Sequence, residues 1–156
     1  MSKSSFFATV LIATLVFALP TESEEVRLTP AMERIQGALV EHARLLLERY
    51  GTTFYALGIY LTHDNELREV VPHISAPLEP ALIAEGLRAS VHEIYRTRAS
   101  AVGIAVDNPV EKTVQSELED LSGRCRLVRR PYRFTREGTV IFLAQEIFNC
   151  EISMLW

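Results

Sequence analysis

From residue 29 onward the hydrophobic positions recur in two periods, one helical and one strand-like. Thr29 and Pro30 open the first helical stretch, since threonine caps well and proline loses no needed bond at the first helical position. Met32, Ile35, Leu39, His42, Leu46 and Tyr50 follow at helical spacing, and Gly51 supplies a stop. Residues 53–61, "TFYALGIYL", are apolar on both faces and rich in aromatic and branched side chains, which predicts an interior strand. "THDNE" has turn chemistry and leads into a second strand at about Leu67 to Val71. Pro72, Pro77 and Pro80 mark a loop, and a second helix then runs to about Arg98 with Ile83, Leu87, Val91, Ile94 and Tyr95 on its buried side. "ASAVGIAVD", residues 99–107, predicts another interior strand ending at Asp107.

Residues 108–123 fit two patterns. Asn108-Pro109-Val110-Glu111 resembles a capped helix start, with Val114, Leu118 and Leu121 at helical spacing and Gly123 as a stop. The alternative is a strand through Gln115 to Glu119 and a turn at Asp120 to Gly123. Residues 124–134 and 139–152 both read as strands around a Glu137-Gly138 turn. With a two-residue loop, Cys125 lies opposite Cys150, Arg129 opposite Glu146, Arg130 opposite Gln145 and Arg124 opposite Glu151. Val128 then meets Ile147, Tyr132 meets Leu143, and Phe134 meets Ile141. In that register Pro131 and Cys125 both occupy non-hydrogen-bonded pairs, about 4.5 Å apart at Cα, where a proline needs no N–H. A type I turn with a glycine bulge would shift the register by one and separate the cysteines. Across the preceding turn, Glu119 meets Arg124 and Glu117 meets Arg126, which favours the strand reading of Gln115–Glu119. The fold class expected is α+β, two helices packed on a largely antiparallel sheet of about five to six strands.

Charge sharpens one question. The chain carries a net charge of −4, yet six of its fourteen arginines fall between Arg124 and Arg136. The cross-strand pairing gives most of them an acid or amide partner, each exposed pair contributing a few tenths of a kcal/mol. Arg133 and Arg136, near the hairpin tip, have no assigned acid and are candidates for contact with a partner. The slightly acidic balance argues against nucleic-acid binding, which favours a strongly basic face.

The first residues indicate export. Lys3 precedes the uncharged, mostly apolar run Phe6–Leu19, Pro20 breaks it, and Thr21-Glu22-Ser23-Glu24-Glu25 follows. This is the layout of a secretory signal peptide over residues 1–23, with a cut before Glu24 or after Ala18. The run falls short of the roughly 20 residues that span a bilayer, so no membrane attachment is expected after cleavage. Residues 24–156 then make a single α+β domain, periplasmic or secreted, where two cysteines favour a disulfide between Cys125 and Cys150.

"LEDLSG" followed by "RLVRRPYRF" and the apolar "TVIFLAQEIF" resembles a small uncharacterised bacterial family, a domain of unknown function with a Leu-Glu…Gly…Pro-Tyr-Arg hairpin. The resemblance spans most of residues 30–150. It implies an α+β fold with a helix–strand–strand–helix front half, and it implies no activity.

Candidate chemistry is sparse. His42, His63, His73 and His92 have no metal-ligand spacing, and no cofactor motif appears, so none is expected. His42 reads as an edge-of-core residue, His63 as part of a turn and His92 as solvated. Asp107, at the end of an interior strand, and His73, in the proline loop, are the candidates for a cleft. The leading expectation is a non-catalytic interaction or accessory module that binds a protein in the cell envelope or outside the cell. The alternatives are a small-ligand sensor or carrier, with a pocket beside Gly58 and Gly103, and a hydrolytic enzyme using His73 and Asp107.

Overall fold

The Thr29 side chain accepts a hydrogen bond from the Met32 amide at 3.4 Å, and Pro30 begins helix α1 (Pro30–Tyr50). Gly51 ends it in the left-handed region at φ 64°, its N–H bonded to the Leu47 carbonyl, a conformation that glycine adopts without a Cβ clash. The computed structural model describes residues 26–51, 54, 56–70 and 80–150. Residues 1–25, which include the expected signal peptide, and His73 lie outside the described residues.

Seven strands and a second helix follow: β1 (Leu57–Thr62), β2 (Leu67–Glu69), α2 (Pro80–Thr97), β3 (Ala99–Asn108), β4 (Thr113–Asp120), β5 (Cys125–Phe134), β6 (Val140–Phe142) and β7 (Glu146–Asn149). They form one antiparallel sheet in the order β2-β1-β3-β4-β5-β6, and β7 also pairs with β5. The fold is α+β, and residues 113–120 are strand, not helix. Asn108 instead caps a tight turn, its side-chain oxygen accepting from the Glu111 amide at 3.2 Å, and Lys112 turns through φ 51°.

The two helices cover opposite faces of the sheet. Ala101, Ala105, Val114, Leu118, Val128 and Tyr132 share a core with α1, whereas Val102 and Ile104 pack with Ile83, Leu87 and Val91 of α2. β3 is therefore buried on both sides, which is why its sequence lacks alternation. The α1 stripe departs from expectation in its second half. Ala43 and Leu47 are buried while Tyr50 is 59% exposed, because the contact line advances by four residues per turn after Leu39.

The two hairpin turns depart from the expected lengths in opposite directions, the first one residue shorter and the second one residue longer. Between β4 and β5, Asp120 faces Arg124 across Leu121-Ser122-Gly123, with Gly123 at φ 75°. Glu119 consequently pairs with Cys125 and Glu117 with Leu127, not with Arg124 and Arg126. Between β5 and β6, the Thr135 amide bonds to the Thr139 carbonyl at 2.9 Å across Arg136-Glu137-Gly138, with Gly138 at φ 85°. This is the glycine-bulge turn. Tyr132 pairs with Phe142 and Phe134 with Val140, not with Leu143 and Ile141.

The bulge does not separate the cysteines, because the last strand breaks at Leu143-Ala144-Gln145 and recovers the lost residue there. Below the break Val128 pairs with Ile147 and Arg129 with Glu146. Arg130 has no pairing to Gln145, and Glu151, the expected partner of Arg124, lies outside the described residues. The break also raises the strand count to seven. Its cause lies across the ladder. Odd positions of β5 turn their backbone groups toward β6 and β7, as the bonds Leu143 N–H to Pro131 O (2.8 Å) and Cys150 N–H to Cys125 O (3.5 Å) demonstrate. Pro131 has no N–H to give on that side, so the ladder is interrupted opposite it. Cys125 and Cys150 thus sit in a hydrogen-bonded pair, not the expected non-hydrogen-bonded one. Their Cα atoms are 5.4 Å apart and the residues are joined by a disulfide, within the range such a bridge accepts.

Candidate functional site

The arginine run is mostly not neutralised by the sheet. Of the run, only Arg129 has an ion pair among the described residues, 2.8 Å from Glu111 in the β3–β4 turn, not with Glu146. Arg126 donates to the carbonyls of Arg27 and Cys125, and Arg130 lies over the Phe142 ring at 5.6 Å. Glu117, expected to serve the run, pairs with Arg88 of α2 instead. Arg124, Arg133 and Arg136 are exposed, and among the described residues their side chains have no hydrogen-bond or ionic partner. The offset of the β4–β5 turn moves Glu119 and Glu117 out of register with Arg124 and Arg126, whereas Glu146 stays opposite Arg129, which takes Glu111 instead.

Arg133 sits on the sheet face opposite α1. On that side α2 packs over β1 and β3 and reaches β4 through Arg88 and Tyr95. The β5–β6–β7 end of the face is open among the described residues. Ile141, directly across from Arg133, is 38% exposed, Leu143 44% and Phe148 42%. The hairpin tip is held firmly despite its exposure. Glu48 of α1 accepts the Val140 amide at 3.0 Å with one carboxylate oxygen and Arg44 with the other.

Asp107 has a structural partner. Its Oδ1 accepts from the Tyr132 hydroxyl at 3.0 Å, on the face covered by α1, while its Oδ2 is buried without one. Burial, and then the bond to Asp107, push the Tyr132 phenol well above its ordinary range. A phenol raised in the folded state stabilises fully below its unfolded value near 10, and that contribution is lost as pH rises through the folded value. Urea unfolding should therefore show stability falling above about pH 10, and the fall should be shallower in Tyr132→Phe. Parallel pH profiles for the two proteins would refute this assignment.

His42 bridges α1 to β2, with Nδ1 on the Ala38 carbonyl at 3.0 Å and Nε2 on Glu69 at 2.8 Å. Both ring nitrogens face oxygen atoms of the protein, so in this arrangement neither is directed at a substrate. His63 is exposed in its turn and His92 is half-buried. No group of three or more metal-ligating side chains occurs among the described residues.

A groove of about 340 Å³ opens beside Gly58, lined chiefly by Leu45, Leu46, Leu57, Ile59, Val70 and Leu87, with His42 and Glu69 at one end. The position beside Gly103 holds no pocket: a Cβ there would lie 2.5 Å from Ile35 and 2.8 Å from Leu118. The hairpin patch was partly legible as two arginines without partners. The exposure of Ile141 and Leu143 depends on the turn register and had no sequence signal. The chain matches no protein-family model, no curated protein and no solved structure, so the hairpin resemblance assigns it to no family.

Proposed function

We propose that this protein is an exported, non-catalytic interaction module that docks a protein of the cell envelope or the extracellular space. One observation carries the reading: the side chains of Arg133 and Arg136 are exposed without partners among the described residues, beside exposed Ile141 and Leu143, on a hairpin anchored to α1. An arginine pair next to an apolar centre suits a partner surface that is acidic around an apolar anchor. Export is supported by the N-terminal pattern and by the disulfide, which persists in oxidising compartments. No helix among the described residues is long and apolar enough to cross a membrane.

The test is affinity purification from the native envelope fraction with wild type and with Arg133→Glu/Arg136→Glu. Wild type should retain a protein that the double variant loses, at unchanged melting temperature. Equal retention of the same protein by both would refute the docking face. The apolar groove beside Gly58 favours a second reading, a carrier of a small apolar ligand. The hydrolytic reading, which uses Asp107 and His73, has least support, since Asp107 is bound to Tyr132.

A further inference from the structure

Strand β7 is attached to the fold by unusually little. Among the described residues it pairs with β5 alone, and of its residues only Ile147 is half-buried against the α1 core, while Glu146, Phe148 and Asn149 are exposed. The segment before it, Leu143-Ala144-Gln145, is unpaired apart from the Leu143 amide and fully on the surface. Immediately after it comes Cys150, bonded to Cys125 at the start of β5. Four residues of ladder and one half-buried isoleucine make an element of low local stability, which the covalent bond holds in place.

We propose that the Cys125–Cys150 disulfide is a latch, and that its reduction releases β7 and opens the β5 edge from Cys125 to Arg129 to an extended segment of another protein. The reductant is a dithiol: it passes two electrons and two protons to the bridge, giving two cysteine thiols, and is itself oxidised to a disulfide. The released edge presents the backbone groups of Cys125, Leu127 and Arg129, which face β7 in the closed form. Strand addition then recovers the ladder bonds that β7 made. β7 itself states the chemistry of the incoming segment: an apolar residue opposite Val128, as Ile147 is, and an acid opposite Arg129, as Glu146 is. This site is separate from the hairpin-tip patch, and neither reading depends on the other.

Amide hydrogen exchange on the full mature chain, oxidised and after dithiothreitol, tests the latch. The Leu127 and Arg129 amides should exchange at least about tenfold faster after reduction, with Val128, which faces β4, unchanged. Equal rates in both forms, or a uniform increase that includes Val128, would overturn the latch. A fluorescent peptide with the sequence of Gln145–Asn149 then probes the edge. It should bind reduced Ile147→Asn, in which β7 has lost its core anchor, and not the oxidised wild type. Binding to the oxidised protein, or none to the reduced variant with its exchange accelerated, would overturn the edge as a docking strand.

Discussion

Replacing Cys150 with alanine should lower the stability of the mature protein by about 3 kcal/mol, read as a shift in the urea midpoint at constant slope. The bridge joins residues 25 apart in sequence, and closing a loop of that length removes conformational freedom from the unfolded chain. The folded state gives up little when it is cut. Cys125 is buried and its neighbours Leu127 and Val128 stay paired with β4, so the far-ultraviolet spectrum should change little. Cys125→Ala should cost a similar amount, and the double variant hardly more than either single one, because both changes open the same loop. Two reactive thiols per chain in the denatured, unreduced protein from its native host would sink this prediction. So would a double variant about twice as unstable as each single one.

The same region shows where the sequence was readable and where it was not. α1 was legible to the residue at both ends, since a threonine cap, a proline at the first position and a terminal glycine act locally. The interior strands β1 and β3 were legible because burial on both faces leaves an unbroken apolar run. Register was not, because it depends on how many residues a turn closed by a left-handed glycine holds: one fewer than expected at Gly123 and one more at Gly138. The cysteine pairing was reached by an error that the chain itself compensates: a glycine bulge at the tip shifts the ladder one way, and the break opposite Pro131 shifts it back. The sequence marks Pro131 as a constraint on pair type, whereas its effect in the fold is an interruption of the partner strand.

For the candidate site the lesson runs through the arginines. Pairing them with acids required Glu117 and Glu119 to fall directly across, and an offset of one sends Glu117 to Arg88 on another element, while Glu146 does fall across from Arg129 and still loses it to Glu111. Glu111, which does pair with Arg129, belongs to a turn whose position relative to β5 no strand-to-strand count could supply. Asp107 was identified as the acid that ends an interior strand. That its hydroxyl partner is Tyr132, two strands away, is a property of the β3–β4–β5 register.

The second large effect concerns Gly103. It lies mid-strand in β3, where glycine is a poor strand former and any residue with a side chain would gain in propensity. Yet a Cβ at this position would stand 2.5 Å from Ile35, 2.8 Å from Leu118 and 3.0 Å from Leu39, all fully buried. α1 crosses the sheet here, and the absent side chain is what permits its close approach. Gly103→Ala should therefore destabilise by about 2 kcal/mol and Gly103→Val by about 3 kcal/mol or more, since a packed core cannot yield to added methyl groups without moving the helix. Gly37, exposed on the far side of the same helix with nothing within 4 Å of its Cβ position, is the control. Gly37→Ala should stabilise by about 0.8–1 kcal/mol through helix propensity alone. Thermal and urea unfolding of the three variants give the comparison directly. A neutral Gly103→Ala beside a stabilising Gly37→Ala would mean that α1 does not sit this close to β3, and that the packing of the larger core is wrong.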